Sequence, residues 1–399
     1  MLASLSLIFI VGLAMGAICQ KLKLPRIIGI LVTGIVLGPY VLDLLDPSIL
    51  SISAELRKMA LIIILLKAGL SLDLKDLKKA GRSAVLLSFV PASLEIAGYV
   101  LCAPAILGIT RGEAAVMGAV LGAVSPAVVV PRMVTLMEKK YGTEKAIPQM
   151  IMAGASCDDI FVIVLFTTFL SIAQGGHANV LDFVNIPVSI VLGIILGAVT
   201  GYGLYLFFET AYARKHCVRN SIKVIIVLGF SFLLVSVEGW LEGKISLSGL
   251  LAVVSMACVI KMKSPVFVSK RLSEKFGKLW LAAEVMLFVL VGAAVDIRYT
   301  LSAGLSAVLM IFVALLFRSV GVLLCVAGTR LTWKERLFCV IAYLPKATVQ
   351  AAIGSVPLAA GLACGKIVLS VAVLAIIITA PLGAIGMDAA YQRLLEKEN

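Results

Sequence analysis

The chain is 399 residues long, 61% hydrophobic and only 14% charged, with a mean hydropathy of +1.10. A soluble domain averages roughly 45–50% apolar and about 25% charged residues, so this composition excludes a soluble globular, a disordered or a disulfide-rich secreted protein. The 35 basic and 22 acidic residues leave a formal net charge of +13. In so apolar a chain, that excess reports membrane topology rather than binding of nucleic acid.

A spanning helix takes about 20 apolar residues. Apolar runs divide the chain into thirteen predicted spans at 2–20, 27–42, 55–71, 83–107, 112–136, 147–174, 180–208, 221–238, 245–260, 280–297, 302–328, 334–361 and 365–388. With the N-terminus outside, basic residues gather in every inner loop. They run through Lys21, Lys23 and Arg26, then Lys75 to Arg82, Arg132 to Lys145, Arg214 to Lys223, Lys261 to Lys278, Arg330 to Arg336, and Arg393 with Lys397. That alternation predicts an N-out, C-in chain with an odd number of spans. No basic residue precedes Lys21, so the first span is read as retained rather than as a signal peptide. Eight scattered cysteines without a CxxC pair read as small buried hydrophobes, with neither disulfide nor metal implied. Trp240, Trp280 and Trp333 are predicted interfacial anchors, and Gly193, Gly197 and Gly201 a helix-packing face. His177 and His216 fall in loops.

The fifth and twelfth spans share an interruption. One carries Ser125-Pro126 and Pro131; the other carries Pro345-Lys346 and then Gly354 to Pro357. Proline removes a backbone donor and clashes with the preceding turn. In lipid, the freed groups must be satisfied inside protein or along a cavity. Paired broken helices in two halves are a pointer to a transporter's binding site. Six spans before the seventh and six after it fit two inverted repeats joined by a linking span.

Charges inside a membrane are costly and are functional candidates by default. Asp158 and Asp159 are adjacent and deep in the sixth span. A strongly coupled carboxylate pair titrates as a unit, and it can hold a proton or a small hard cation, but hardly both. Hard cations want oxygen ligands; Ser125, Ser156 and carbonyls freed by the break would supply the rest. The bland reading is a structural pair capping a helix or bridging to a lysine. Glu95 and Arg318 lie mid-span in the fourth and eleventh spans and are predicted to pair, in a structural or a functional capacity. Arginine does not release its proton in proteins. Lys346 either neutralises carbonyls at a helix end or bridges to Asp158. No nucleotide-binding or hydrolase motif is present, which argues against an enzyme or an ATP-driven pump, and no cofactor is expected.

These motifs resemble a known family. Gly122 to Pro131 is similar to a stretch of the sodium/proton antiporters of the monovalent cation:proton antiporter superfamily, and most closely to the subfamily B sodium/hydrogen exchangers, the NHA group. Ser156-Cys-Asp-Asp159 resembles that group's paired-aspartate motif, Leu344 to Ser355 its second broken helix, and Leu66 to Asp73 an inner-end segment. The resemblance covers roughly residues 20–390. It implies an all-α polytopic fold of about 13 transmembrane helices in two inverted repeats with two crossed broken helices, worked by an elevator-like shift. It implies dimerisation-domain helices in 1–80, 209–279 and 280–300, core ion-binding helices in 81–176 and 301–390, a linker helix in 177–208 and a cytoplasmic tail in 391–399. By position, Asp159 would be the main carrier of Na⁺ or Li⁺ and of H⁺, assisted by Asp158 as the second metal ligand. Glu95 and Arg318 would form a buried ion pair, and Lys346 would be a crossing-point lysine. Arginine at 318, where related electrogenic antiporters place lysine, implies exchange near one proton per cation. The implied partners are monovalent cations, protons, membrane lipids and a second copy in a homodimer, with no nucleic acid. The compact chain points to a bacterial inner membrane.

The alternatives are a K⁺/H⁺ antiporter, a sodium-coupled organic anion symporter, an intramembrane aspartyl protease and a non-transporting scaffold. The symporter would need a roomier, more polar cavity. In the protease the two acids face each other from different helices, whereas neighbours on one helix point about 100° apart. The scaffold gives no reason for buried charge in four spans.

Overall fold

The computed structural model describes residues 1–22, 24–71, 81–175, 180–215, 220–241, 247–297 and 304–398. Leu72, Asp73, His177, His216 and Cys217 lie outside the described residues, and so does the side chain of Ser156. In chain order the helices are α1 (Leu2–Lys21), α2 (Arg26–Leu37), α3 (Pro47–Ser51), α4 (Ser53–Ser71), α5 (Gly81–Leu87) and α6 (Val90–Leu107). Next come α7 (Arg111–Leu121), α8 (Pro126–Glu138), α9 (Ile147–Gly175), α10 (Val180–Lys215), α11 (Asn220–Leu241) and α12 (Gly249–Lys263). The last are α13 (Val266–Ala293), α14 (Gly304–Cys325), α15 (Trp333–Ala342), α16 (Thr348–Ile353), α17 (Val356–Ala359) and α18 (Gly365–Leu394). Among the described residues, nine helical stretches are long and apolar enough to cross a membrane. The protein is a multi-pass, all-helical membrane protein; its described residues hold one isolated bridge, Tyr141 to Lys397, and no sheet.

Two expectations from the sequence need correction. The tenth span does not begin at 280: α13 starts at Val266 and carries Lys270, Arg271, Lys275 and Lys278 on a helix rather than in a loop. Hydropathy falls there, but Leu272, Phe276 and Trp280 recur every four residues and are buried, which is helical periodicity. Trp280 is therefore core, whereas Trp240 and Trp333 are exposed as anchors would be.

The described parts of the chain form two packing units. The first comprises Met1–Ala54, Asp73–Gln174 and Leu287–Asn399; the second comprises Glu55–Leu72 and Gly175–Met286. In the second unit α10 packs against α12. A Cβ added to Gly193, Gly197 or Gly201 would meet the carbonyl oxygens of Ser248, Ala252 and Met256 in turn. The glycines thus let two backbones approach over successive turns, as in small-residue membrane contacts.

In the first unit α14 packs on α6, α6 on α7, and α18 on α15. Both broken spans open on a Thr-x-x-Glu capping box, Thr110 with Glu113 and Thr332 with Glu335. Each box satisfies amides at a helix start and fixes where the helix begins. Glu335 is buried, and Lys145 in the α8–α9 loop reaches it at 2.9 Å and Glu396 at 3.2 Å. The tail runs back along that loop: Gly142 donates to the Glu396 carbonyl at 2.8 Å, and Glu398 donates to the Lys140 carbonyl at 2.8 Å. Hydrogen bonding to Glu335 raises the Lys145 ammonium above its ordinary value of 10.5. The stabilisation it brings is therefore complete below 10.5 and is lost only as pH climbs through the raised value. Lys145→Met is expected to lower stability by about 1–3 kcal/mol, with the deficit in thermal melts flat from pH 6 to 9.

Candidate functional site

The site is built where the two broken spans meet, within the first packing unit. α7 ends at Leu121 and α8 restarts at Pro126, where a missing N–H costs nothing at the first helical position. The second break runs from Tyr343 to Ala347, between α15 and α16. Each break leaves backbone groups without helical partners, and buried polar groups must find others. Here each break serves the other. The Ser125 amide donates to the Pro345 carbonyl at 2.8 Å. The buried Gln350 side chain joins both: its Oε1 accepts from the Ala347 amide at 2.8 Å, and its Nε2 donates to the carbonyls of Ala123 at 2.9 Å and Leu121 at 3.4 Å. From α18, Thr379 Oγ1 accepts the Lys346 amide at 2.9 Å.

Arg318, on α14, is completely buried and divides its donors among four groups. Nη1 lies 2.7 Å from Glu95 Oε2 and also donates to the Gly122 carbonyl. Nη2 lies 2.9 Å from Asp158 Oδ2, and Nε 2.6 Å from the Tyr343 carbonyl. One guanidinium therefore ties α6, α9 and both breaks together, which a planar fork of five donors can do and an ammonium cannot. Lys346 meets neither partner expected for it: its Nζ sits 2.6 Å from Glu95 Oε2. Glu95 is thus held between two cations.

The two aspartates stand in different surroundings. Asp158 accepts from Arg318 and, at 2.8 Å, from the Val124 amide in the first break. It is braced on one oxygen. Asp159, 6% exposed, has its Oδ1 without a hydrogen-bond partner among the described residues. The same holds for Asp158 Oδ1, Ser125 Oγ, Thr348 Oγ1, Glu95 Oε1 and the Tyr343 hydroxyl. Ser125 occupies the N-cap of α8, yet its hydroxyl makes no capping bond. Such unpaired buried oxygens are rare in folded proteins, and carboxylate and hydroxyl oxygens are the donors a hard monovalent cation takes. Of the carbonyls around the first break, those of Leu121 and Ala123 accept from Gln350 and that of Gly122 accepts from Arg318. Among the described residues, no group of three or more His, Cys, Asp or Glu is gathered as for a resident metal.

Sequence reasoning singled out Glu95, Ser125, Ser156, Asp158, Asp159, Arg318 and Lys346; the structure joins Glu95, Asp158, Arg318 and Lys346 in one ion-pair network, with Asp159 next to Asp158 on α9. It did not single out Gln350, Tyr343 or Thr379. Gln350 had a signal, a polar residue two turns or less from a break inside an apolar span; Tyr343 acts through its carbonyl and had none.

A family model described as "Sodium/hydrogen exchanger, transmembrane" matches residues 5–388. The chain belongs to this family. Sodium/hydrogen exchanger 9B2 of Homo sapiens is 37% identical over 359 residues, covering 86% of this exchanger-family chain and 65% of that protein. The chain therefore spans a little under two thirds of that relative. Sodium/hydrogen exchanger 9B1 of Homo sapiens is 32% identical over 419 residues, covering 99% of the chain and 78% of the relative. The fold matches the sodium proton antiporter MjNhaP1 from Methanocaldococcus jannaschii, with a TM-score of 0.82 over 98% of this chain and 97% of that one, at 21% identity. The curated relatives named here are human proteins, so the bacterial setting expected from the sequence gains no support from them.

Proposed function

We propose that this chain is a secondary transporter, not an enzyme, that exchanges Na⁺ or Li⁺ for H⁺, with both competing for Asp159 and Asp158. The observation that carries the reading is the contrast between the two acids: both keep an unpartnered Oδ1, but Asp158 is braced on its other oxygen by Arg318 and Val124, whereas the ion pairs of Arg318 and Lys346 go to Glu95 and Asp158 and leave Asp159 aside. A carboxylate left unpaired in a nearly dry interior is costly, and either a proton or a small cation relieves that cost. Asp158, Ser125 and Ser156 complete the ligand set of the transported ion, which is substrate rather than cofactor. Glu95, Arg318 and Lys346 compensate charge and hold the breaks together.

The finer features belong to the same proposal. The chain has thirteen spans in two inverted repeats, N-out and C-in. Core helices in 81–176 and 301–390 move as an elevator against dimerisation helices within 1–80 and 209–300, in a homodimer. Exchange is near-electroneutral, since Arg318 cannot contribute a second proton.

The test is reconstitution in liposomes with a pH dye inside and an imposed Na⁺, Li⁺ or K⁺ gradient. The wild type is expected to move protons with Na⁺ and Li⁺, and Asp159→Asn to lose at least about a hundredfold in rate, as expected when an essential proton carrier is removed. Movement that survives the substitution would take the carrier's role away from Asp159. A clear response to imposed voltage would sink the electroneutral part alone.

A further inference from the structure

We infer that Gln350 is a positioning residue that keeps the backbone carbonyls of the first break away from the transported cation, and so sets which cation binds and how tightly. The inference rests on the exchange reading above. Its basis is the completeness of the amide's engagement. Gln350 is fully buried, its oxygen takes the one amide of the second break that faces it, and its nitrogen takes two carbonyls of the first. With Arg318 on the Gly122 and Tyr343 carbonyls and the Ser125 amide on that of Pro345, five carbonyls around the breaks point at protein donors. Among the buried side-chain oxygens, Asp158 Oδ1, Asp159 Oδ1, Ser125 Oγ and Thr348 Oγ1 have no hydrogen-bond partner among the described residues.

That division has a chemical consequence. A cation held by few ligands, two of them carboxylates, sits in a strong field that favours the smaller, harder ion. Neutral carbonyl oxygens enlarge the shell and weaken the field, which favours a larger ion. Among the described residues, the Gln350 amide is the side-chain donor that reaches Leu121 and Ala123. A purely packing role would be met by any side chain of similar volume and would leave cation preference untouched.

The experiment uses the full chain in liposomes and compares the wild type with Gln350→Met and Gln350→Glu. Apparent KM and maximal rate are measured for Na⁺ and for K⁺ from pH 6 to 9. Gln350→Met keeps the volume and removes the donor; its KM for Na⁺ is expected to shift roughly tenfold, the effect of losing one or two net hydrogen bonds. Its Na⁺-over-K⁺ preference should fall at least about fivefold, with a maximal rate within about threefold of wild type. Gln350→Glu can donate only when protonated, so the ratio of its Na⁺ KM to that of the wild type should depart from unity as pH rises. Active variants with wild-type KM, preference and pH dependence would overturn the inference. Variants that lose stability and rate together while retaining wild-type KM and preference, or that fail to fold at all, would assign the amide to assembly of the fold and overturn it equally. A wild type inert toward Na⁺, Li⁺ and K⁺ would instead bring down the exchange reading, and the role of Gln350 with it.

Discussion

Arg318→Met is expected to destabilise the folded chain by about 3–5 kcal/mol, the usual cost of removing one partner from a buried ion pair. The guanidinium is the partner of Asp158 and of Glu95, and of two carbonyls in different breaks. Removing it leaves Asp158 with one amide from Val124 and leaves Glu95 with Lys346 alone. Arg318→Lys should recover little, because one ammonium cannot reach four groups set around a planar fork. Adding Asp158→Asn to Arg318→Met should recover part of the loss, because the uncompensated charge is then gone. Thermal melting of the purified chain in detergent decides this. A deficit below about 1 kcal/mol would mean that water reaches the cluster and screens its charges.

Gly383→Val is expected to cut the exchange rate at least about tenfold, with a stability loss of about 1–3 kcal/mol from overpacking. A Cβ at Gly383 would run into the Cγ of the Pro345 ring and come within 2.6 Å of its Cδ. Pro345 is the residue whose carbonyl receives the Ser125 amide, and the next amide, Lys346, is held by Thr379 one turn away on α18. α18 is therefore the seat of the second break, and a branched side chain on it pushes the two breaks apart. Initial rates in liposomes, normalised to protein amount, read the effect. Wild-type rates would show that the seat yields without disturbing the junction.

Much of this was legible in the sequence, for physical reasons. Pro126 and Pro345 stand at the two interruptions, whereas Pro131, read with the first of them, lies inside α8, as Pro104 and Pro381 lie inside α6 and α18. Charge in a span has few explanations, so Glu95, Asp158, Asp159, Arg318 and Lys346 stood out. What distance along the chain conceals is pairing. Nothing local says that Lys346 finds Glu95 across 251 positions, or that Arg318 reaches the Tyr343 carbonyl. The start of α13 is masked by the drop in average hydropathy across its lysines and arginine, and shows only in the four-residue recurrence of Leu272, Phe276 and Trp280. The paired capping boxes at Thr110 and Thr332 mark the starts of both broken spans, within a residue of where the apolar runs place them.

The junction also carries an unequal number of charges, three carboxyl groups against two cations. Arg318 and Lys346 balance Glu95 and Asp158 charge for charge, so Asp159 alone is left over. Under the proposed exchange, the empty carrier is a monoanion enclosed in a poorly polarisable interior, and either cargo renders it neutral. Moving the anion across the bilayer costs far more than moving the neutral form. A ratchet against futile cycling is thereby built into the bookkeeping of one carboxylate: the carrier returns when it has something to carry, without a separate latch.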